Sequence, residues 1–132
     1  VCQRIEDQDW PKLTALHGLL HDAAEAYTGD ITRPMKALCS RVSEVEESVQ
    51  AAIYVALELP EPDDVERIVV READEWALSM EAYYLMPSRG VGWSCEGLYA
   101  PGPWPRRSGF TPWGAAYVDA FRRRRKTMGR VA

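Results

Sequence analysis

A chain of 132 residues is long enough for one domain, and at that size it buries roughly two thirds of the surface it exposes when unfolded, so no disulfide scaffold is required. Its three cysteines (Cys2, Cys39, Cys95) contain no C-x-x-C pair, no apolar stretch approaches the ~20 residues that span a bilayer, and no signal-peptide pattern opens the chain; the expectation is a reducing, cytoplasmic setting with no membrane partner. The formal charge of −4 joins two unlike halves, since residues 1–86 carry 7 Lys/Arg against 18 Asp/Glu and residues 87–132 carry 9 against 2.

The first predicted element is a helix over residues 11–27, where Leu13, Leu16, Leu19, Leu20, Ala23 and Ala24 form an apolar stripe, Pro11 suits the first turn and Gly29 supplies a stop. Thr28-Gly29-Asp30-Ile31-Thr32-Arg33-Pro34 favours a turn, after which Met35 restarts a short helical patch. Ser43 and Glu46 have the spacing of a capping box, and Val45, Val49, Ile53, Ala56 and Leu57 recur at steps of three and four behind it. Past Leu59-Pro60-Glu61-Pro62, Asp63 and Glu66 offer a second cap to a long helix whose face is Val65, Val69, Ala73, Trp76, Met80 and Tyr83, closed by Pro87. Residues 87–114 then hold five of the nine prolines, six of the nine glycines and three of the five tryptophans, a density that excludes a regular element. Trp93, Tyr99, Trp104, Phe110 and Trp113 are expected to lie against the helices. A last helix over about 112–128 ends in the basic run Arg122, Arg123, Arg124, Arg125 and Lys126. No stretch alternates as a strand does, so the fold class is all-α: one domain over 1–132, with helices to 87, an aromatic loop at 88–111 and a closing helix.

Chemistry concentrates on the first helix. Glu25 follows His21 by four residues and Asp22 by three, and positions so spaced share a helix face, which brings an imidazole and two carboxylates together among Leu19, Leu20, Ala23, Ala24 and Ala26. Burying ionised carboxylates costs several kcal/mol unless they are paired or metal-bound. A divalent metal is the economical reason, with imidazole and carboxylate suiting Mn, Fe, Co, Ni or Zn and a further ligand due from another helix. Asp74, beside the apolar stripe of the long helix, is the candidate for it. On the residues alone, a surface hydrogen-bonding His-Asp pair remains the alternative.

The string Leu19-Leu20-His21-Asp22-Ala23-Ala24-Glu25-Ala26-Tyr27-Thr28-Gly29-Asp30-Ile31-Thr32-Arg33-Pro34-Met35-Lys36 resembles the HD-domain metal-dependent phosphohydrolases, in particular the branch of bacterial 5′-deoxynucleotidases and phage nucleotide hydrolases. Carrying the resemblance are the His-Asp doublet, the Glu three residues after the Asp, and Gly-Asp-x-x-x-Pro-x-Lys. Val45-Glu46-Glu47 with Ala52-Ile53, and Ala73-Asp74 with Leu78 and Glu81, look like the family's later helices in order, so that it spans about residues 1–87. It implies an HD-type helical bundle and hydrolysis of a nucleotide, most naturally a deoxynucleotide, by metal-activated water. His21, Asp22 and Asp74 are then the metal ligands, for Mn, Co, Fe, Ni, Zn or Mg. Glu25 is the carboxylate near the attacking water, Asp30 a second acidic group of the site, and Lys36 a candidate contact to phosphate.

The family's motif begins with another histidine on an earlier helix, and nothing ahead of Val1-Cys2-Gln3-Arg4-Ile5 supplies it. The expectation is an N-terminally incomplete sequence that binds metal weakly as written. His17, four residues before His21, shares that predicted helix face and either packs near the site or reaches the metal. The competing class is a non-catalytic module of the same scaffold that binds nucleic acid or anions through residues 122–126, although five consecutive basic residues point all round a helix and nucleic acid is not the expected partner. Self-association is left open.

Overall fold

The computed structural model describes residues 1–97, 99 and 113–128. Among them the chain is all-α, with seven helices and no strand: α1 (Cys2–Asp7), α2 (Lys12–Leu20), α3 (Glu25–Thr28), α4 (Arg33–Leu38), α5 (Ser40–Ala56), α6 (Asp64–Leu85) and α7 (Trp113–Met128). None of the described helices is long and apolar enough to cross a membrane. The described residues divide into two compact units, one formed by residues 1–19 with those from 64 onward, the other by residues 20–63.

In the first unit the core gathers Ile5, Ala15, Val69 and Ala73, with Val1 and Val70 packed against them. The predicted face of α6 is inward at Val69, Ala73 and Met80, whereas Val65, one turn ahead of the first core contact, is 55% exposed. Helix α6 starts with Asp64 and Glu66 in its first turn, where carboxylates suit the positive end of the helix dipole, and ends short of Pro87. Helix α1 carries too few residues to show a period in sequence, yet its Ile5 is wholly buried. Gly18 permits this, because a Cβ there would overlap Ile5 Cδ1. His17 is also buried, with Nδ1 3.6 Å from Glu66 Oε2, while the Thr14 hydroxyl donates to Glu66 Oε1 at 3.0 Å. Of the two alternatives for His17, packing is therefore the one observed, and its polar neighbour is a carboxylate on α6.

The breaker-rich segment begins as predicted, with left-handed backbone at Arg89, Gly90, Gly92 and Gly97. Of the aromatic residues expected to lie against the helices, Trp93 is 39% exposed and Tyr99 half-buried, while Cys95 is turned inward at 3% exposure. Trp104 and Phe110 lie outside the described residues, as do the side chain of Trp113 and position 112, where the last helix was expected to begin.

In the second unit, α3 and α4 pack against α5. Gly29 takes φ 81° as the stop after α3, as the sequence predicts, whereas α4 begins at Arg33, two residues before the expected restart at Met35, so Pro34 sits in its first turn and not in the preceding loop. Other local expectations are corrected. Helix α5 begins at Ser40, three residues before the predicted cap, so Ser43 lies inside the helix and no capping box forms. No breaker interrupts Ser40-Arg41-Val42, and Glu46 is drawn away to Lys36 at 2.8 Å. The inward face of α5 includes Glu46, Gln50 and Tyr54, one turn apart; of the predicted stripe Val49, Ile53 and Leu57 are half-buried, while Val45 is 53% exposed and Ala56 is exposed.

Candidate active site

A further correction concerns the helix predicted over residues 11–27, which stops at Leu20. Residues 21–24 form a turn before α3 begins at Glu25. In a continuous helix the Ala24 amide would bond to the Leu20 carbonyl. Here the carboxamide of Gln50 stands between them: the Ala24 N–H donates to Gln50 Oε1 at 3.1 Å, and Gln50 Nε2 donates to the Leu20 carbonyl at 3.0 Å. A side chain inserted into the ladder is a recognised cause of helix breaks. The backbone tightens to i→i+3 bonds around it, Ala23 to Leu20 and Glu25 to Asp22, each at 3.0 Å.

The break changes what the His-Asp doublet can do. Adjacent residues on an α-helix project about 100° apart and do not face each other. In the turn, His21 Nε2 and Asp22 Oδ2 approach to 2.9 Å. The imidazole is 21% exposed and the carboxylate 59%, so the pair stands at the surface and not in a core.

Beside it lies a pocket of about 180 Å³ lined by His21, Asp22, Ala24, Glu25, Lys36, Glu46, Glu47 and Gln50. Four carboxylates thus share the lining with one ammonium. Lys36 Nζ sits 2.8 Å from Glu46 Oε2 and 3.8 Å from Glu25 Oε1, and the other Glu46 oxygen is buried without a hydrogen-bond partner. Glu25 titrates above the usual carboxylate range, first because it is partly buried, then because Asp22, Asp30 and Glu46 repel its charge, with Lys36 opposing. Lys36 is in turn raised above its usual range, chiefly by its hydrogen bond to Glu46.

Of the six candidates from sequence, His21, Asp22, Glu25 and Lys36 share this pocket. Asp30 is exposed in the loop after α3 and outside the lining, close enough for its charge to act on Glu25. Asp74 is half-buried on α6, in the other unit. Sequence reasoning gave Gln50 no role and Glu46 only that of a helix cap, neither a place at the site; their spacing of four on one helix was the local signal that they act together.

The basic run divides between structure and solvent. Arg124, 9% exposed, donates to Glu6 Oε2 at 2.7 Å and to the Ala120 carbonyl at 3.2 Å, while Arg122, Arg123 and Lys126 are exposed. One arginine of the run is thus spent on holding α7 to α1.

No family model, curated protein or solved structure matches this chain.

Proposed function

We propose that this chain is a metal-dependent phosphohydrolase of nucleotides, deoxynucleotides in particular, on an HD-type helical bundle. The observation that supports this most is the convergence of His21 Nε2 and Asp22 Oδ2 to 2.9 Å at a pocket whose other carboxylates outnumber its single lysine. The donor types, an imidazole nitrogen beside carboxylate oxygens, would suit a divalent ion. The proposed ligands are His21, Asp22 and, from the sequence resemblance, Asp74.

A divalent ion held there supplies Lewis acidity toward a phosphoryl oxygen and lowers the pKa of a water molecule. The remaining work belongs to side chains of this chain. Glu25, whose proton affinity is raised by burial and by neighbouring carboxylates, is the group proposed to take the proton of the attacking water. Asp30 adds charge that keeps Glu25 basic. Lys36 sits between Glu25 and Glu46, where it restrains that basicity and offers a cation to phosphate.

The test is phosphate release from deoxynucleoside mono- and triphosphates with Mn²⁺ or Co²⁺, using protein that includes any natural sequence preceding Val1. Turnover that disappears in Asp22→Ala and falls at least 100-fold in Glu25→Gln is the expected outcome, the latter in keeping with the ~10²–10⁴-fold typical of a general base. No turnover in the unsubstituted protein, or turnover indifferent to Asp22→Ala, rejects the proposal.

A further inference from the structure

We propose that Gln50 is a positioning residue that sets the metal affinity of the His21-Asp22 turn without touching the ion; the proposal rests on the metal-dependent function above. The geometry behind it is the double hydrogen bond of one carboxamide to the Leu20 carbonyl and the Ala24 amide, the two groups that an uninterrupted helix would join to each other. The position requires a donor and an acceptor on one planar group at the end of a two-methylene stem. Glutamine has both, ionised glutamate only accepts, methionine does neither, and asparagine is one methylene short.

The alternative open to the backbone gives the residue its leverage. With Gln50 gone, the Ala24 N–H and the Leu20 carbonyl can bond directly, and the helix-forming run Leu19-Leu20-His21-Asp22-Ala23-Ala24-Glu25-Ala26 favours that. The turn then becomes helix, His21 and Asp22 swing about 100° apart, and two donors that met at 2.9 Å no longer share a point. Gln50 therefore selects between two hydrogen-bonded states of the same segment, only one of which can chelate. Groups that orient metal ligands typically change affinity by about 10–100-fold when lost.

The experiment measures Mn²⁺ binding by the electron paramagnetic resonance signal of the free ion, together with ¹³Cα shifts of residues 21–24. It compares unsubstituted protein, Gln50→Met, Gln50→Asn and, as a control for general loosening of the same unit, Tyr54→Leu. The expected result is a 10–100-fold loss of Mn²⁺ affinity in both Gln50 variants, with ¹³Cα shifts at 21–24 moving to helical values, and unchanged affinity in Tyr54→Leu. Gln50→Asn keeps a polar side chain and serves if Gln50→Met does not fold. Mn²⁺ bound equally well by the Gln50 variants and the unsubstituted protein overturns the positioning role and leaves the metal-dependent function standing. Equal losses in Tyr54→Leu also overturn it, since the effect is then general destabilisation. Failure of the unsubstituted protein to bind Mn²⁺ overturns both.

Discussion

Replacing Lys36 with Met removes the one lysine among the described residues lining the pocket, and the structure sets the size of the effect. Lys36 Nζ lies 2.8 Å from Glu46 Oε2, with the two side chains 27% and 14% exposed. At that distance the attraction is about 1.5 kcal/mol in bulk water and about 6 at an effective dielectric of 20, most of which is offset by desolvation and by fixing a long side chain. Removing one partner costs about 0.2–1 kcal/mol for an exposed pair and 3–5 for a buried one. This pair lies between those limits, and because Glu46 Oε1 has no hydrogen-bond partner already, losing Lys36 strands the whole carboxylate. About 2 kcal/mol of destabilisation is the expected outcome of urea unfolding at pH 7. Glu46→Gln added to Lys36→Met should recover half of that or more, because no stranded charge remains. Since Lys36 titrates above its usual value, the pair's contribution is fully present below about pH 10.5 and is lost as pH rises through the folded-state pKa. A loss under about 0.5 kcal/mol, or additivity of the two substitutions within about 0.3 kcal/mol, refutes the reasoning.

Two further substitutions test the site and the core beside it. Glu25 titrates above its usual 4.5 in the folded protein, so between that value and its folded pKa the native state holds more protons than the unfolded one and stability falls as pH rises. Glu25→Gln should therefore stabilise the metal-free protein at pH 7 and leave it nearly unchanged at pH 4; urea unfolding at both values checks this, and a variant less stable at pH 7 than at pH 4, relative to the unsubstituted protein, contradicts it. Gly18→Ala should destabilise by about 1–3 kcal/mol, because the new methyl meets buried Ile5, whereas Gly→Ala within an exposed helix gains up to about 1 kcal/mol. Thermal unfolding distinguishes the two signs, and a raised Tm would refute the close approach of α1 and α2.

The features legible in sequence are those whose cause is local. Gly29 after α3 and the Val69, Ala73 and Met80 face of α6 each follow from residues within a turn or two of one another. Helix α1 escaped because six residues hold too little of a period, and its stabilisation comes from Val69 and Ala73, more than sixty residues away. The break at 21–24 escaped for the same reason in sharper form. Local propensity favours a continued helix there, and the carboxamide that interrupts it arrives from a residue 30 positions downstream of Leu20.

The site shows why naming its residues and knowing its geometry are different problems. Spacing on a helix groups His21, Asp22 and Glu25, which do line one pocket, but by a geometry the chain does not use, since the two neighbours converge at 2.9 Å in a turn that interrupts the helix. What arranges them is α5, and its two instruments are one turn apart on one face: Gln50 opens the ladder at Leu20, while Glu46 holds Lys36 against Glu25. An amphipathic reading assigns such polar residues to solvent and looks for the inward face at Val45, Val49 and Ile53. The face observed keeps Val49 and Ile53 half-buried, loses Val45 to solvent and adds Glu46 and Gln50, because a polar side chain can turn inward when partners there satisfy its hydrogen bonds, and those partners lie on segments that no local window contains.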